Sequence, residues 1–268
     1  FKIISLDNYS SGSQKNHIKN KRVKYLKGHT KEINKILIKY KKNINSIFHF
    51  GEFARIYQSF FQMNECIQSN SIGTHEVFDF CLRNKIKLIY SATSASLGNK
   101  GEDKNLSPYA FTKSKNLELL ENLKRWFNFK YEVIFFYNVY GPGQISVGKM
   151  STVIGIFENQ YLNKKPLTVV KPGTQSRRFT HIDDTIDVCF YAWKKNKCRF
   201  YSISNKESFT ILNVAKMFKS KIKFLSPRKG ERYASALTTL SLSNKIHRSY
   251  GKISLREYVK SFLKKHVK

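Results

Sequence analysis

Acid is scarce in this chain. Its 268 residues carry 18 Asp and Glu against 49 Lys and Arg, a formal net charge of +31. Such a balance raises nucleic acid as a partner. The lysines are dispersed, however, as in KNHIKNKRVKYLKGHTKEINK, YAWKKNK and SFLKKHVK. Neither a nucleic-acid motif nor a single basic block accompanies them, so nucleic acid is not expected as the main partner. A positive field of this kind also attracts a diphosphate. Long apolar runs are missing too, and none approaches the ~20 residues that span a bilayer, so no membrane partner is expected. The opening FKIISLDNYSSG turns polar after one short apolar run, unlike a signal peptide. These absences predict a soluble, cytoplasmic protein. Cys66, Cys81, Cys189 and Cys198 are scattered, with no CxxC pair. That pattern fits inert thiols in a reducing compartment and offers no zinc ligand set, so no metal site is expected. No internal repeat or low-complexity linker occurs.

Core-forming residues are present. Hydrophobic residues make up 41% and aromatics 14% of the chain, enough for an α/β core and a smaller lobe. KIISL, RVKYL, SIFHF, KLIYSA and EVIFFY read as strands, rich in Ile, Val, Phe and Tyr. Amphipathic stretches lie between them, around 31–43, 64–84 and 109–127. That rhythm predicts a parallel sheet with right-handed crossovers, and active residues at the carboxyl ends of its strands. After GPGQ (141–144) the rhythm loosens. A helix near 150–163, the runs LTVV and RRFTHI, a helix opening at Asp183-Asp184, RFYSIS, a helix from about 209, KIKFL and a last helix near 253–266 follow. The acidic pair is assigned to the helix N-terminus and not to chemistry. The reading is a cofactor domain over 1–145, and a substrate lobe over 146–268 with some elements returning to the core.

One further absence shapes the reading. A dinucleotide-binding fold begins with a strand, a glycine-rich turn, and a helix whose N-terminus meets the pyrophosphate. No such turn precedes the first strand here, which ends at Leu6-Asp7. A strand ending in an acid fits the second strand of that fold, where the acid binds the adenosine ribose.

The sharpest local signal is Tyr109-Ala110-Phe111-Thr112-Lys113. Tyrosine and lysine four apart on a helix share a face. A phenol with a pKa of about 10 is a poor base at neutral pH. A nearby ammonium favours the phenolate, which can then trade a proton with a substrate hydroxyl while hydride moves to a nicotinamide. Ser107-Pro108 starts the helix suitably. Upstream, IYSATSASLGN ends an apolar strand in small hydroxyl residues, able to present Thr93 or Ser94 to a sugar oxygen.

With these pieces the chain resembles the extended short-chain dehydrogenase/reductase superfamily, in its NAD-dependent epimerase/dehydratase group. The matching segments run in the family's order to about residue 232: Asp7 to Gly12, His49-Phe50-Gly51-Glu52, Asn70 to Thr74, Tyr90-Ser91-Ala92-Thr93, Ser107 to Lys113, Tyr137 to Pro142, Gln175 to Phe179 with Asp183-Asp184, and Pro227 to Glu231. The resemblance implies a Rossmann-like doubly wound parallel sheet with the first strand-turn-helix missing, and hence a fragment. It implies NAD as cofactor and a nucleotide-sugar as substrate. By the same resemblance Asp7, Asn8, Ser11 and Gly12 sit at the adenosine side. Phe50, Gly51, Glu52 and Ser91 line the cofactor, with Asn70 behind it. Thr93, Tyr109 and Lys113 are the catalytic set, and Lys113 also holds the nicotinamide ribose. Asn138 meets the substrate diphosphate, while Arg177, Arg228 and Glu231 grip the nucleotide, the arginines through bidentate bonds to phosphate. The family commonly forms homodimers through a four-helix interface, here the helices near 64–84 and 109–127.

The family's 4,6-dehydratases follow the catalytic threonine with Asp-Glu, and its decarboxylases keep a glutamate there. Ser94 and Ala95 follow Thr93 here, so elimination lacks its proton carriers. Epimerisation remains, best read as a UDP-hexose 4-epimerase. A heptose 6-epimerase, a nucleotide-sugar reductase, and a catalytically dead nucleotide-sugar-binding fragment stay open. His29 stands where the family usually has an aspartate near the adenine, and Arg178 replaces the usual acid after Arg177.

Overall fold

The computed structural model describes residues 1–96, 103–195, 200–230 and 251–266. All five β-rich runs of the first half are strands: β1 (Ile3–Asp7), β2 (Val23–Lys27), β3 (Ser46–His49), β4 (Lys87–Thr93) and β5 (Tyr131–Phe136). Later come β6 (Val139–Tyr140), β7 (Leu167–Val170), β8 (Ser176–Arg178), β9 (Thr180–His181), β10 (Phe200–Ile203), β11 (Ser208–Thr210) and β12 (Ile222–Leu225). The helices are α1 (Ile33–Leu37), α2 (Ile56–Ser59), α3 (Met63–Ile67), α4 (Thr74–Arg83), α5 (Pro108–Phe127), α6 (Val153–Leu162), α7 (Ile182–Lys195), α8 (Ile211–Met217) and α9 (Leu255–His266).

The central sheet is parallel throughout, in the order β10-β5-β4-β3. Side chains alternate across it. On β4, Leu88 and Tyr90 face a core shared with Val77, Phe78 and Phe80 of α4 and Leu120 of α5. Ile89, between them, faces Val188, Cys189 and Ala192 of α7 on the other side. Helices therefore cover both faces, which makes the molecule Rossmann-like and doubly wound. β1 and β2 form a separate parallel pair. Among the described residues β1 pairs only with β2 and β3 only with β4, so each leaves one strand edge open.

Two expected helices are not simple. The stretch expected to be helical over 31–43 is α1 flanked by 3-10 turns at Thr30–Glu32 and Ile38–Asn43. Ile33, Ile36 and Ile38 are β-branched and stiff in a helix, which weakens the α form locally. The stretch expected over 64–84 carries a π turn at Gln68–Gly73 between α3 and α4. Gly73 permits a close approach there, since a Cβ would come within 2.2 Å of Thr30 Oγ1.

The second half builds its own core from Tyr140, Ile154, Phe157, Leu167, Val169, Phe179, Val214, Phe218 and Val259. β7 pairs with β12, β8 with β11, and β6 with β9. α7 and β10 return to the central sheet. Asp183 and Asp184 lie in the first turn of α7, as expected. Asp184 is buried and also anchors the approach to α9 by accepting from the Ile253 N–H at 2.9 Å. Among the described residues no helix is long and apolar enough to cross a membrane. None of them group into a metal-binding cluster of three or more His, Cys, Asp or Glu. Cys66, Cys81 and Cys189 are buried free thiols, and Cys198 lies outside the described residues.

Candidate active site

The start of α5 is fixed before any chemistry is considered. Ser107 Oγ accepts from the Ala110 N–H at 3.1 Å, and Pro108 occupies the first turn. The Tyr109 N–H donates to Ser59 Oγ on α2 at 3.3 Å. Tyr109 is half-buried, and Lys113 lies one turn further on. β4 ends at Thr93, which is 8% exposed. Its Oγ1 accepts from the Ala95 N–H at 3.1 Å, which sets the hydroxyl at the strand's carboxyl end. Thr93 and the Tyr109–Lys113 turn thus come from the strand end and the helix that packs against it.

Lys113 is buried, with 4% of its side chain exposed. It donates to the Glu52 carboxylate and to the Ser91 carbonyl, and its Nζ stands 4.4 Å from the centre of the Tyr90 ring. Burial pushes its pKa down, and Glu52 pushes it back up. Glu52 in turn accepts from Thr74 Oγ1 at 2.8 Å, Tyr90 OH at 3.1 Å and Asn116 Nδ2 at 3.3 Å. Thr74 spends its proton on Glu52, so His49 Nε2 donates to Thr74 Oγ1 across 2.9 Å. Burial drives the His49 pKa down to about 4, and the imidazole is neutral at pH 7.

Asn70 sits in the π turn and is fully buried. It accepts from the Phe53 N–H at 2.7 Å and donates to the Phe53 carbonyl at 3.0 Å, clamping the loop that carries Glu52. Ser91 Oγ donates to the His49 carbonyl at 3.2 Å. Phe50 is 44% exposed, and a Cβ at Gly51 would meet nothing within 4 Å, so the space beyond the end of β3 is open. Of the expected residues, the structure gathers Glu52, Asn70, Ser91 and Lys113 into one buried network, with Thr93 and Tyr109 on the same strand and helix.

The turn after β1 is different. Asp7, Asn8, Ser11 and Gly12 are exposed. Asp7 Oδ1 accepts from the Tyr9 N–H at 2.7 Å and Asn8 Oδ1 from the Ser10 N–H at 3.0 Å, Asx-type bonds that shape the turn. Asn16 donates to the Gly143 carbonyl at 3.0 Å, tying this turn's continuation to the loop after β6. An acid at the end of a parallel strand suits ribose hydroxyls. Lys113, with one N–H beyond its two bonds, suits a second ribose. The residues at both ends therefore fit a dinucleotide.

The expected substrate residues are spread out. Asn138, at φ 39°, donates to the Arg178 carbonyl at 2.7 Å. Arg177 donates to the Ser176 carbonyl at 2.8 Å on β8. Arg228 lies over the Tyr57 ring of α2 at 5.2 Å, which brings it to the helix that supports Tyr109. Glu231 lies outside the described residues.

Arg55 was not singled out from sequence. Its Nε and Nη2 donate to the Met150 carbonyl at 2.9 and 2.6 Å. Burial lowers its pKa and Tyr109 raises it, so the guanidinium lies within electrostatic reach of the phenol. Its position just past β3 was the one available signal.

Comparison with known proteins places the chain among relatives of the same fold. The chain is 26% identical to a UDP-glucose 4-epimerase of Rickettsia bellii, over 89% of this chain and 68% of that protein. It is 26% identical to an ADP-L-glycero-D-manno-heptose-6-epimerase of Fusobacterium nucleatum, over 65% of this chain and 59% of that protein. Its fold matches a UDP-glucose 4-epimerase structure from Thermotoga maritima with a TM-score of 0.85 at 22% identity, covering 99% of this chain and 91% of that one. Residues 1–204 match the NAD dependent epimerase/dehydratase family, and the chain belongs to that family.

Proposed function

We propose that this protein is an NAD-dependent nucleotide-sugar epimerase, acting on a UDP-hexose at C4. The observation that carries the reading is the Tyr109–Lys113 turn of α5 beside Thr93 at the carboxyl end of β4, with Ser94 and Ala95, and no carboxylate, after Thr93. When bound, NAD supplies the acceptor and donor for a sugar hydride. Tyr109 takes the proton of the sugar hydroxyl and later returns it. Thr93 holds the same oxygen by hydrogen bond. Lys113 stabilises the phenolate and bonds the nicotinamide ribose, while Asp7, with Asn8, Ser11 and Gly12, holds the adenosine ribose. Asn138, Arg177, Arg228 and Glu231 bind the diphosphate and nucleoside, with the arginines on phosphate. In this reading residues 1–145 carry the cofactor, and 146–268 mainly the substrate. Exposed Met63 on α3, with Phe111 and Trp126 on α5, suits a homodimer paired through these helices.

Ser94 and Ala95, in place of an acid and base directly after Thr93, favour epimerisation over dehydration. Incubation of the intact protein with UDP-glucose and catalytic NAD is expected to yield UDP-galactose with no net NADH. Conversion to a 4-keto-6-deoxy sugar instead would overturn the assignment, and turnover of only an ADP-heptose would move it to another stereocentre.

A further inference from the structure

We infer that Glu52 is a positioning residue: its carboxylate is the fixed counter-ion that holds the Lys113 ammonium beside Tyr109, so the working unit is a Glu52–Lys113 pair and not the lysine alone. The inference rests on Tyr109 as the acid–base group.

The geometry is specific. Three parts of the fold converge on this carboxylate, which the loop after β3 carries: Thr74 of α4, Tyr90 of β4, and Lys113 with Asn116 of α5. Oε1 accepts from Thr74, Tyr90 and Asn116, three neutral donors that tether it. Oε2 is left to face Lys113. With 3% of its side chain exposed and three donors on Oε1, Glu52 is held in place. Lys113 has three N–H groups. Glu52 and the Ser91 carbonyl take two, which aims the third.

No other described group facing the pair supplies the opposing charge. His49 on β3 is neutral above about pH 4. Burial pushes the Cys66 thiol on α3 up to about 11, and holds Tyr90 on β4 well above the ordinary phenol range. Tyr109 lies one turn before Lys113 on α5, and Arg55, which acts on Tyr109, is itself a cation. A buried ammonium without a counter-ion sheds its proton as pH rises. Glu52 prevents that, and so keeps a positive charge available to a developing phenolate across neutral pH.

The test is Glu52→Gln in the intact protein loaded with NAD. Two pH profiles are read from about pH 6 to about pH 9: kcat/KM, and unfolding by urea. The variant's kcat/KM is expected to fall about tenfold or more above neutrality, where the wild type stays level, because Lys113 becomes neutral. Over the same range its stability deficit against the wild type is expected to narrow, because the stranded charge is what destabilises it. A merely structural role would move activity and stability together. Parallel activity profiles, or a deficit constant with pH, overturn the inference. If Glu52→Gln alone does not fold, Glu52→Gln with Lys113→Met is expected to restore a folded protein. A double variant as unfolded as the single one overturns the pairing. If the wild type interconverts no nucleotide sugar, the acid–base reading fails separately, and the unfolding profiles still decide the pairing.

Discussion

The polar cluster around Lys113 and the turn after β1 both lie at strand ends, yet they are built oppositely. The first is buried, and its polar groups satisfy one another: Glu52 serves four donors, and Asn70 clamps both backbone groups of Phe53. The second is exposed and shaped by bonds two residues long, from Tyr9 to Asp7 and from Ser10 to Asn8. Buried polar networks are intolerant, because a lost partner strands a desolvated group. Exposed turns tolerate change, because water replaces what is lost. A substitution is thus expected to couple to folding at one end and to be separable from it at the other.

The contrast can be broken in descending order of effect. Lys113→Met leaves the Glu52 carboxylate buried without its cation, and is expected to lower unfolding free energy by about 3–5 kcal/mol in urea titrations. His49 gives a pH signature. Its folded pKa of about 4 lies below the ordinary 6.5. The unfolded chain therefore binds the proton first, and stability present above about pH 6.5 is lost as pH falls towards about 4. The loss is about 3 kcal/mol, and His49→Gln is expected to flatten that acid limb. Asn70→Ala strands the Phe53 N–H and carbonyl, with an expected loss of about 2 kcal/mol and a weaker hold on Glu52. Asp7→Asn, at the exposed turn, is expected to change stability by less than about 0.5 kcal/mol. It should weaken NAD binding about tenfold in a fluorescence titration, and a large stability loss there would erase the distinction between the two ends.

Sequence reading reached the two ends unequally for the same reason. The strands were legible because β-branched and aromatic runs bounded by turns carry their own signal, and α5 because Ser107-Pro108 announces it. The Tyr109–Lys113 spacing was legible because four residues make one turn. The partner of Lys113 was not, since Glu52 lies 61 residues away and meets it only through the sheet. Arg55 escaped for the same reason, reaching Met150 across 95 residues. The π turn at Gln68–Gly73 was hidden inside a continuous amphipathic pattern that reads as one helix. β6 and β11, at two and three residues, are too short to show a period.

Tyr109→Phe in the intact protein is the most direct measurement, because it removes one oxygen from a half-buried position and leaves the Glu52–Lys113 pair in place. The expected result is a folded, NAD-binding variant whose nucleotide-sugar interconversion falls by about 10²–10⁴. Wild-type turnover from that variant would contradict the assignment of Tyr109 as the group that moves the proton.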